Sequence, residues 1–482
     1  MPAFLDLRQW LSRVAEISEL KTVTGASWNE EIGCIANLNS RLDGCPALLF
    51  DQITDYPAGY RMLTSALTAP SRIELTFNLP PAKSNLERVQ RFRENLPRWE
   101  KAMSGFSVTV VNDGAILENV QKGSDVDLFK FPAPKWNRDD GGRYLGTGCV
   151  VITKDPDKGG VNLGCYRNQV HNKSVLGLSW SPGKHGRAHF DKYLQQSKRC
   201  PVAISLGHDP LLFALAGAPV IHGSLSEYHL AGAIRQEPVR VVTEEVTGLP
   251  IPADAEIVIA GWVPPKKEMP EGPFGEYLGY YGAMAEPAPI IEVERVYYRN
   301  DPIVLGAPPG RPPGEYGHYV DLINSANLHN FLESSGVSDV KGVWVSKEAR
   351  HYMVVVSIKQ RYAGHAKQAA LLVSQCRPAS MTGRYIVVVD EDVDPSDLHE
   401  VVWAMCTRFN PSSDIDILDG FRSNPLDPMI KKPARHYTGS RAFIKACKPF
   451  EWIDEYPKEI RVSPAMAARV KEKWGKLLNW EA

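Results

Sequence analysis

The 482-residue sequence has no uninterrupted apolar run of about twenty residues, the length a bilayer-spanning helix requires. Its amino-terminal residues also lack a basic stretch followed by an apolar core and a cleavage site. A soluble, cytoplasmic protein is expected. Net charge is nearly absent, with 55 Lys and Arg against 56 Asp and Glu. That balance gives no bulk field for nucleic acid or an anionic membrane surface, so neither is expected as a partner and a compact metabolite fits better. The eight cysteines (Cys34, Cys45, Cys149, Cys165, Cys200, Cys376, Cys406 and Cys447) are scattered, with no C-x-x-C pair and no metal-ligand cluster. Most of them read as buried apolar thiols in a reducing compartment. There is no internal repeat and no low-complexity tract.

What the chain has in quantity is turn formers, 37 Pro and 38 Gly, within a 43% hydrophobic composition that excludes disorder. This length supports two or three domains around cores that need no disulfides. Over residues 4–20, Leu7, Trp10, Leu11, Val14, Ile17 and Leu20 recur at helical intervals and predict an amphipathic helix. With a strand over 47–50 and a charged helix over 85–103, it makes a small N-terminal α/β region, residues 1–105. Residues 106–305 turn to short β-rich runs, among them 161–170, 202–206, 256–263 and 290–298, spaced as in a barrel or sandwich. Two helices interrupt them. One spans 209–215, with Asp209 as cap and Pro210 in the first turn; the other starts near Ser224 or Ser226 and runs to Arg235. A Pro-rich break at 307–314 and a connecting helix over 320–334 form a linker, residues 306–336. Residues 337–482 alternate strands and helices as an α/β domain does, with Asp394 and Pro395 predicted to start one helix. The fold class expected is α/β in the mixed α+β sense.

The segment EGPFGEYLGYYG places Glu271 and Glu276 five residues apart on a Gly- and Pro-shaped backbone, so neither helix nor strand sets their spacing. Solvated loop acids are the plain reading. A pocket in which carboxylates meet an aromatic ligand is the functional one, with Tyr277, Tyr280 and Tyr281 close behind. In VNLGCYRNQVHN, Asn162 and Arg167 would face opposite sides of a straight strand. Either a bulge near Gly164 realigns them, or they contact different parts of one ligand. SPGKHGRAHF sets His185 between Gly183 and Gly186 beside Lys184 and Arg187, a combination that suits a phosphate or a metal but also an ordinary basic turn. Glu227 falls in the first turn of a predicted helix, where a carboxylate commonly offsets the helix dipole. Taken together, Asn162, His185 and Glu227 form an O/N/O set suited to Mg²⁺ or Mn²⁺ and not to zinc.

In order and spacing, Asn162, Arg167, His185, Glu227 and E-G-P-F-G-E resemble the UbiD-type decarboxylases, which use prenylated FMN. The resemblance extends over most of the chain, including KQRYAGHAKQAA at 359–370. It implies a split-barrel flavin-binding domain at 106–305 and a C-terminal α/β oligomerisation domain. Asn162, His185 and Glu227 would hold Mn²⁺ or Mg²⁺ at the flavin phosphate with K⁺ nearby, and Cys165, Arg167 and Lys184 would join the cofactor site. Arg167, Glu271 and Glu276 would be catalytic: Glu276 as proton donor after CO₂ loss, Arg167 on the substrate carboxylate, and Glu271 holding Arg167. The implied partners are a small carboxylic acid and CO₂, a flavin prenyltransferase that supplies the cofactor, and further copies of this chain in a homodimer or higher homo-oligomer. The reaction implied is reversible, non-oxidative decarboxylation of an aromatic, heteroaromatic or α,β-unsaturated acid.

Members acting on cinnamate-like acids line the pocket with apolar groups. Here His318, Tyr319, Lys341 and His436 are polar, which favours a ring-bound carboxylate, phenolic or heteroaromatic. Tyr277 is expected nearest the substrate ring. Arg384 stands where some relatives carry a phosphate-contacting Lys. The alternatives are a 4-hydroxy-3-polyprenylbenzoate decarboxylase of quinone biosynthesis and, from another class, a flavin-binding oxidoreductase or flavin carrier.

Overall fold

The first helix, Leu7–Glu16, buries Leu7, Trp10, Leu11 and Val14 along one face. Asp6 caps it by accepting the Gln9 N–H at 2.8 Å. It stops short of the predicted end because Ser18 turns to φ 60 and Leu20 opens the strand Leu20–Thr24. The computed structural model describes residues 4–181, 183–218, 225–282, 284–432, 434 and 436–480. The four-stranded N-terminal sheet runs Leu20–Thr24, Ala47–Asp51, Arg61–Thr64, Ile303–Leu305. Its last strand arrives from the far side of the β-rich region, so the N-terminal unit takes residues assigned by sequence to 106–305. The helix Asn85–Ala102 lies where the charged helix was expected.

The central sheet has ten strands. Eight follow the order Arg143–Gly146, Asn168–Asn172, Val175–Gly177, Glu286–Tyr298, Ile257–Val263, Cys200–Leu206, Val150–Lys154, Val161–Gly164; the strands Glu268–Glu271 and Asn119–Lys122 also pair with Glu286–Tyr298. Only Cys165, Tyr166 and Arg167 separate the last strand of this path from its second. Four Cα steps span at most about 14 Å, so the sheet must curl until its ends approach. Both faces are covered. In Ile257–Val263, Val258 and Ala260 enter one apolar cluster while Ile257, Ile259 and Val263 enter the other, which is why this strand reads as a continuous apolar run.

The helices Pro210–Gly217 and Glu227–Arg235 pack beside this sheet. The first is capped by Asp209 as expected; the second is capped by Ser226, while Ser224 lies outside the described residues. The connecting helix, Glu315–Ser334, starts earlier than its periodicity predicted. The C-terminal five-stranded sheet runs Val340–Val345, Met353–Ile358, Tyr385–Asp390, Thr438–Ala446, Ile415–Arg422. Its helix Leu398–Thr407 is capped by Asp397, not by Asp394, which instead accepts from the Ser396 N–H in a turn. No helix among the described residues is long and apolar enough to cross a membrane.

Glu315 anchors the start of the connecting helix on the N-terminal unit, where its Oε1 accepts the Leu67 N–H at 2.8 Å. Burial pushes its carboxyl up to about 7, against the opposing pull of the Leu67 amide and the Arg72 charge. A carboxyl raised in this way contributes stability that is present in full below its unfolded pKa and lost as pH rises through the folded one. Wild type is therefore expected to lose about 3 kcal/mol relative to Glu315→Gln between about pH 4 and pH 8. Urea unfolding of both proteins at the two pH values checks this, and parallel stabilities would refute it.

Candidate active site

The seam of the curled sheet builds the site. The strand Val161–Gly164 ends at Gly164 because the Tyr166 ring folds back over it, leaving no room for a Cβ at that position. The same ring excludes a Cβ at Gly186, and its hydroxyl accepts the Gly186 N–H at 3.2 Å. Residues 161–170 are therefore two strands and not one. The break between them resolves the parity of Asn162 and Arg167 without a single continuous ladder.

Arg167 leaves this seam toward two acids. Its Nε and Nη2 donate to Glu271 Oε1 and Oε2, both at 2.8 Å, and Nη1 donates to Glu276 Oε1. The guanidinium lies 4.7 Å from the centre of the Phe274 ring, which Tyr144 flanks with a centroid distance of 4.4 Å. Tyr144 also donates its hydroxyl to Glu271 Oε1 at 3.2 Å. The acid loop itself is pinned from below. Gln169 accepts the Gly272 N–H at 2.9 Å, Asp140 accepts the Gly275 N–H at 3.0 Å, and Gly141 donates to the Pro273 carbonyl at 2.7 Å.

Burial works against the Arg167 charge, yet the two carboxylates outweigh it and hold the guanidinium above its ordinary range. Burial also raises the Glu276 carboxyl, and the single contact with Arg167 only partly opposes this. One cation thus faces two acids. Glu271 takes the bidentate pairing, and Glu276 is the acid whose neutral form the surroundings favour.

Two of the three metal candidates, Glu227 and Asn162, meet at the other end of the same strand, while His185 does not join them. Glu227 is buried and accepts the Leu163 N–H at 2.8 Å, next to Asn162. Burial pushes its carboxyl up to about 7, and no basic side chain offsets that rise. The Asn162 Nδ2 is buried without a hydrogen-bond partner; the amide's N and O ends are interchangeable in assignment. Asn162 pairs across the ladder with Thr153, whose hydroxyl lies 3.0 Å from His189 Nδ1. His189 follows His185 by one turn of the helix His185–Gln195. A buried carboxylate without a counter-charge beside an unpartnered amide fits a hard cation. Among the described residues no three His, Cys, Asp or Glu side chains converge to hold a metal, so such an ion would draw much of its shell from outside the protein.

The remaining candidates disperse. Cys165 is half-buried, its thiol pushed up to about 12 by burial, and Lys184 and His185 are exposed at the start of their helix. Tyr277 lies with its ring 5.0 Å from the Arg350 guanidinium, and its hydroxyl accepts from Asn424. His318 is hydrogen-bonded to the Ser40 carbonyl at 3.2 Å, and burial with the Lys347 charge lowers it to about 4. His436 is exposed. Arg384 is committed to an ion pair with buried Asp427, and Lys341 to Asp339. Tyr144, Asp140 and Gln169 were missed by sequence reasoning: their partners lie more than 100 residues away, and no local pattern marks them.

Three consecutive segments match the domains of one family, 3-octaprenyl-4-hydroxybenzoate carboxy-lyase: residues 11–92 its N-terminal domain, 108–312 its Rift-related domain and 318–446 its C-terminal domain. A phenolic acid decarboxylase of Streptomyces sp. (strain D7) is 32% identical over 459 residues, covering 93% of this chain and 93% of the relative. The chain belongs to the UbiD family. It is therefore an enzyme of the carboxy-lyase class. Among solved structures, the UbiD-class enzyme HmfF from Pelotomaculum thermopropionicum, in complex with FMN, matches with TM-score 0.84 and 27% identity over 96% of this chain and 98% of that one. Vanillic acid decarboxylase of Sedimentibacter hydroxybenzoicus, in an open form, matches with TM-score 0.84 and 28% identity over 99% of both chains.

Within this UbiD-family site, removing Arg167 would leave buried Glu271 unpaired. Arg167→Ala is expected to cost about 3 kcal/mol at pH 8 and clearly less at pH 5, where Glu276, raised by burial, can take up a proton. Denaturant unfolding at both pH values measures this; an equal loss at both would refute it.

Proposed function

We propose that the protein catalyses reversible, non-oxidative decarboxylation of an aromatic, heteroaromatic or α,β-unsaturated carboxylic acid with prenylated FMN, a phenolic ring-bound acid being favoured. The observation that carries this reading is the Glu271–Arg167–Glu276 network, in which one carboxyl is paired bidentately and the other is pushed toward its neutral form. The phenolic preference draws support from relatives named phenolic acid decarboxylase and vanillic acid decarboxylase. Flavin binding draws support from the FMN complex of HmfF and from a second HmfF structure in complex with prFMN.

In this reading Arg167 orients the substrate carboxylate, and Glu271 holds Arg167 against it. Glu276, neutral before reaction, delivers its proton to the carbon that CO₂ leaves, which is general acid work at a site where burial has raised the acid. The apolar faces of Phe274 and Tyr144 limit water around the guanidinium. The bound flavin supplies the electron sink that no side chain can. Asn162, His185 and Glu227 would hold Mn²⁺ or Mg²⁺ at its phosphate, with K⁺ close by and Lys184 and Cys165 on the same side. Assembly as a homodimer or higher homo-oligomer completes the proposal.

Glu276→Gln is expected to lower decarboxylation by at least about 100-fold and to abolish solvent deuterium exchange into product, while flavin occupancy stays unchanged; retained turnover would remove its acid role. For the cation, Glu227→Ala should reduce both bound Mn²⁺ and flavin occupancy, read by elemental analysis and by absorbance of the purified protein. Unchanged occupancy would leave Glu227 as a helix-end carboxylate.

A further inference from the structure

The residue after the proposed acid is held by a charged cluster that the reaction itself does not use. Arg350 lies between the strands Val340–Val345 and Met353–Ile358 and is 6% exposed. It pairs at 3.3 Å with Asp321, a 1% exposed residue of the connecting helix. His351 Nδ1 sits 2.5 Å from the same carboxylate oxygen, and Arg350 Nη1 lies 3.1 Å from His351 Nε2. Arg350 and His351 both take left-handed backbone, at φ 45 and φ 70. Two consecutive non-glycine residues in that region are strained and persist only where the surroundings fix them. The connecting helix makes room for this: a Cβ on Gly317 would come within 3.1 Å of Arg350 Cδ.

A buried ion pair in place of apolar packing brings little net stability, so strain plus buried charge calls for another role. The guanidinium presses on the Tyr277 ring at 5.0 Å, and Asn424 donates to the Tyr277 hydroxyl. Glu276 itself is turned by its N–H on the Tyr280 carbonyl and its carbonyl on the Gly279 N–H, both at 2.9 Å. Neighbouring side chains on one short turn therefore have opposite anchors: Glu276 on Arg167 of the curled sheet, Tyr277 on Arg350 and Asn424 of the C-terminal domain.

We infer that Arg350, fixed by Asp321, is a positioning residue that acts through the ring of Tyr277 to set the Glu276 carboxyl. This rests on Glu276 being the proton donor. The test is a double-mutant cycle on flavin-loaded enzyme, using Tyr277→Leu, Arg350→Gln and the double variant, with vanillate as the substrate probe and solvent deuterium incorporation as a second readout. Each single change is expected to lower kcat about tenfold, as a small misplacement of a reacting group does, with KM and flavin occupancy within about twofold of wild type. The double variant should be no slower than the worse single one, because both remove the same contact. Tyr277→Phe keeps the ring and should run several-fold faster than Tyr277→Leu. Multiplying losses in the double variant, unchanged kcat, or a rise in KM at constant kcat would each overturn the inference. Should Arg350→Gln fail to fold, Tyr277→Leu leaves the Asp321–Arg350 pair intact, and its comparison with Tyr277→Phe decides. Glu276→Gln in the same assays separates the two levels. If it is inactive while the cycle is additive, only the positioning role falls; if it turns over, the acid assignment falls first.

Discussion

The bidentate pairing of Arg167 with Glu271 ties together two parts of the chain more than 100 residues apart, next to the Gln169–Gly272 hydrogen bond. Arg167 sits in the three-residue link that draws the ends of the central sheet together. Glu271 ends a strand paired to Glu286–Tyr298, in the middle of that sheet. Closing the curl and assembling the site are therefore one event. The pairing is not a device for stability, since a buried and a half-buried acid around one guanidinium bring desolvation costs that apolar packing would avoid. It has a use where a fixed cation and an acid pushed toward its neutral form are needed side by side.

The same seam sets the scale of the site. Asn162 and Arg167 are five residues apart, so their Cα atoms lie within about 17 Å even along a fully extended path. The buried carboxylate of Glu227 is bound to the amide of Leu163 at one end of that interval, and the paired acids stand at the other. A strand that continued straight would have sent one of these two functions into the core. Gly164 and Gly186, each held to glycine by the Tyr166 ring, let the chain turn between them.

Legibility followed locality. The helix at Leu7–Glu16 could be read from its own periodicity and that at Pro210–Gly217 from Asp209 and Pro210, because the information sits within a few positions. The start at Asp397 could not be told from one at Asp394, since both side chains have the chemistry of a cap and only packing chooses between them. The strands Glu268–Glu271 and Glu286–Tyr298 carry Pro270, Pro287 and Pro289, which argue against a ladder by propensity alone. Of the candidate site, the three groups at Arg167, Glu271 and Glu276 lie together, a grouping that only the family resemblance had implied. His318 did not join them: its polarity marks it as a candidate but not what it faces, and here it faces the Ser40 carbonyl. Tyr144 and Asp140 were invisible for the converse reason, as contacts made wholly by the tertiary fold.

Charge balance around Arg167 links this geometry to turnover. With Glu271 and Glu276 both ionised, the cluster already carries one more negative charge than positive, and an arriving substrate carboxylate would add another in a water-poor setting. The arrangement resists that third anion, and the simplest relief is a proton on Glu276, the acid that burial already raises and that Arg167 holds by one contact only. If Glu276 then gives up that proton as CO₂ departs, the negative charge lost with the carboxylate reappears on Glu276, and Arg167 faces two anions before and after. The electrostatic load on the guanidinium would stay constant across the chemical step. On that account the proton belongs on the acid held by a single contact, because releasing the bidentate partner Glu271 would free Arg167 to move.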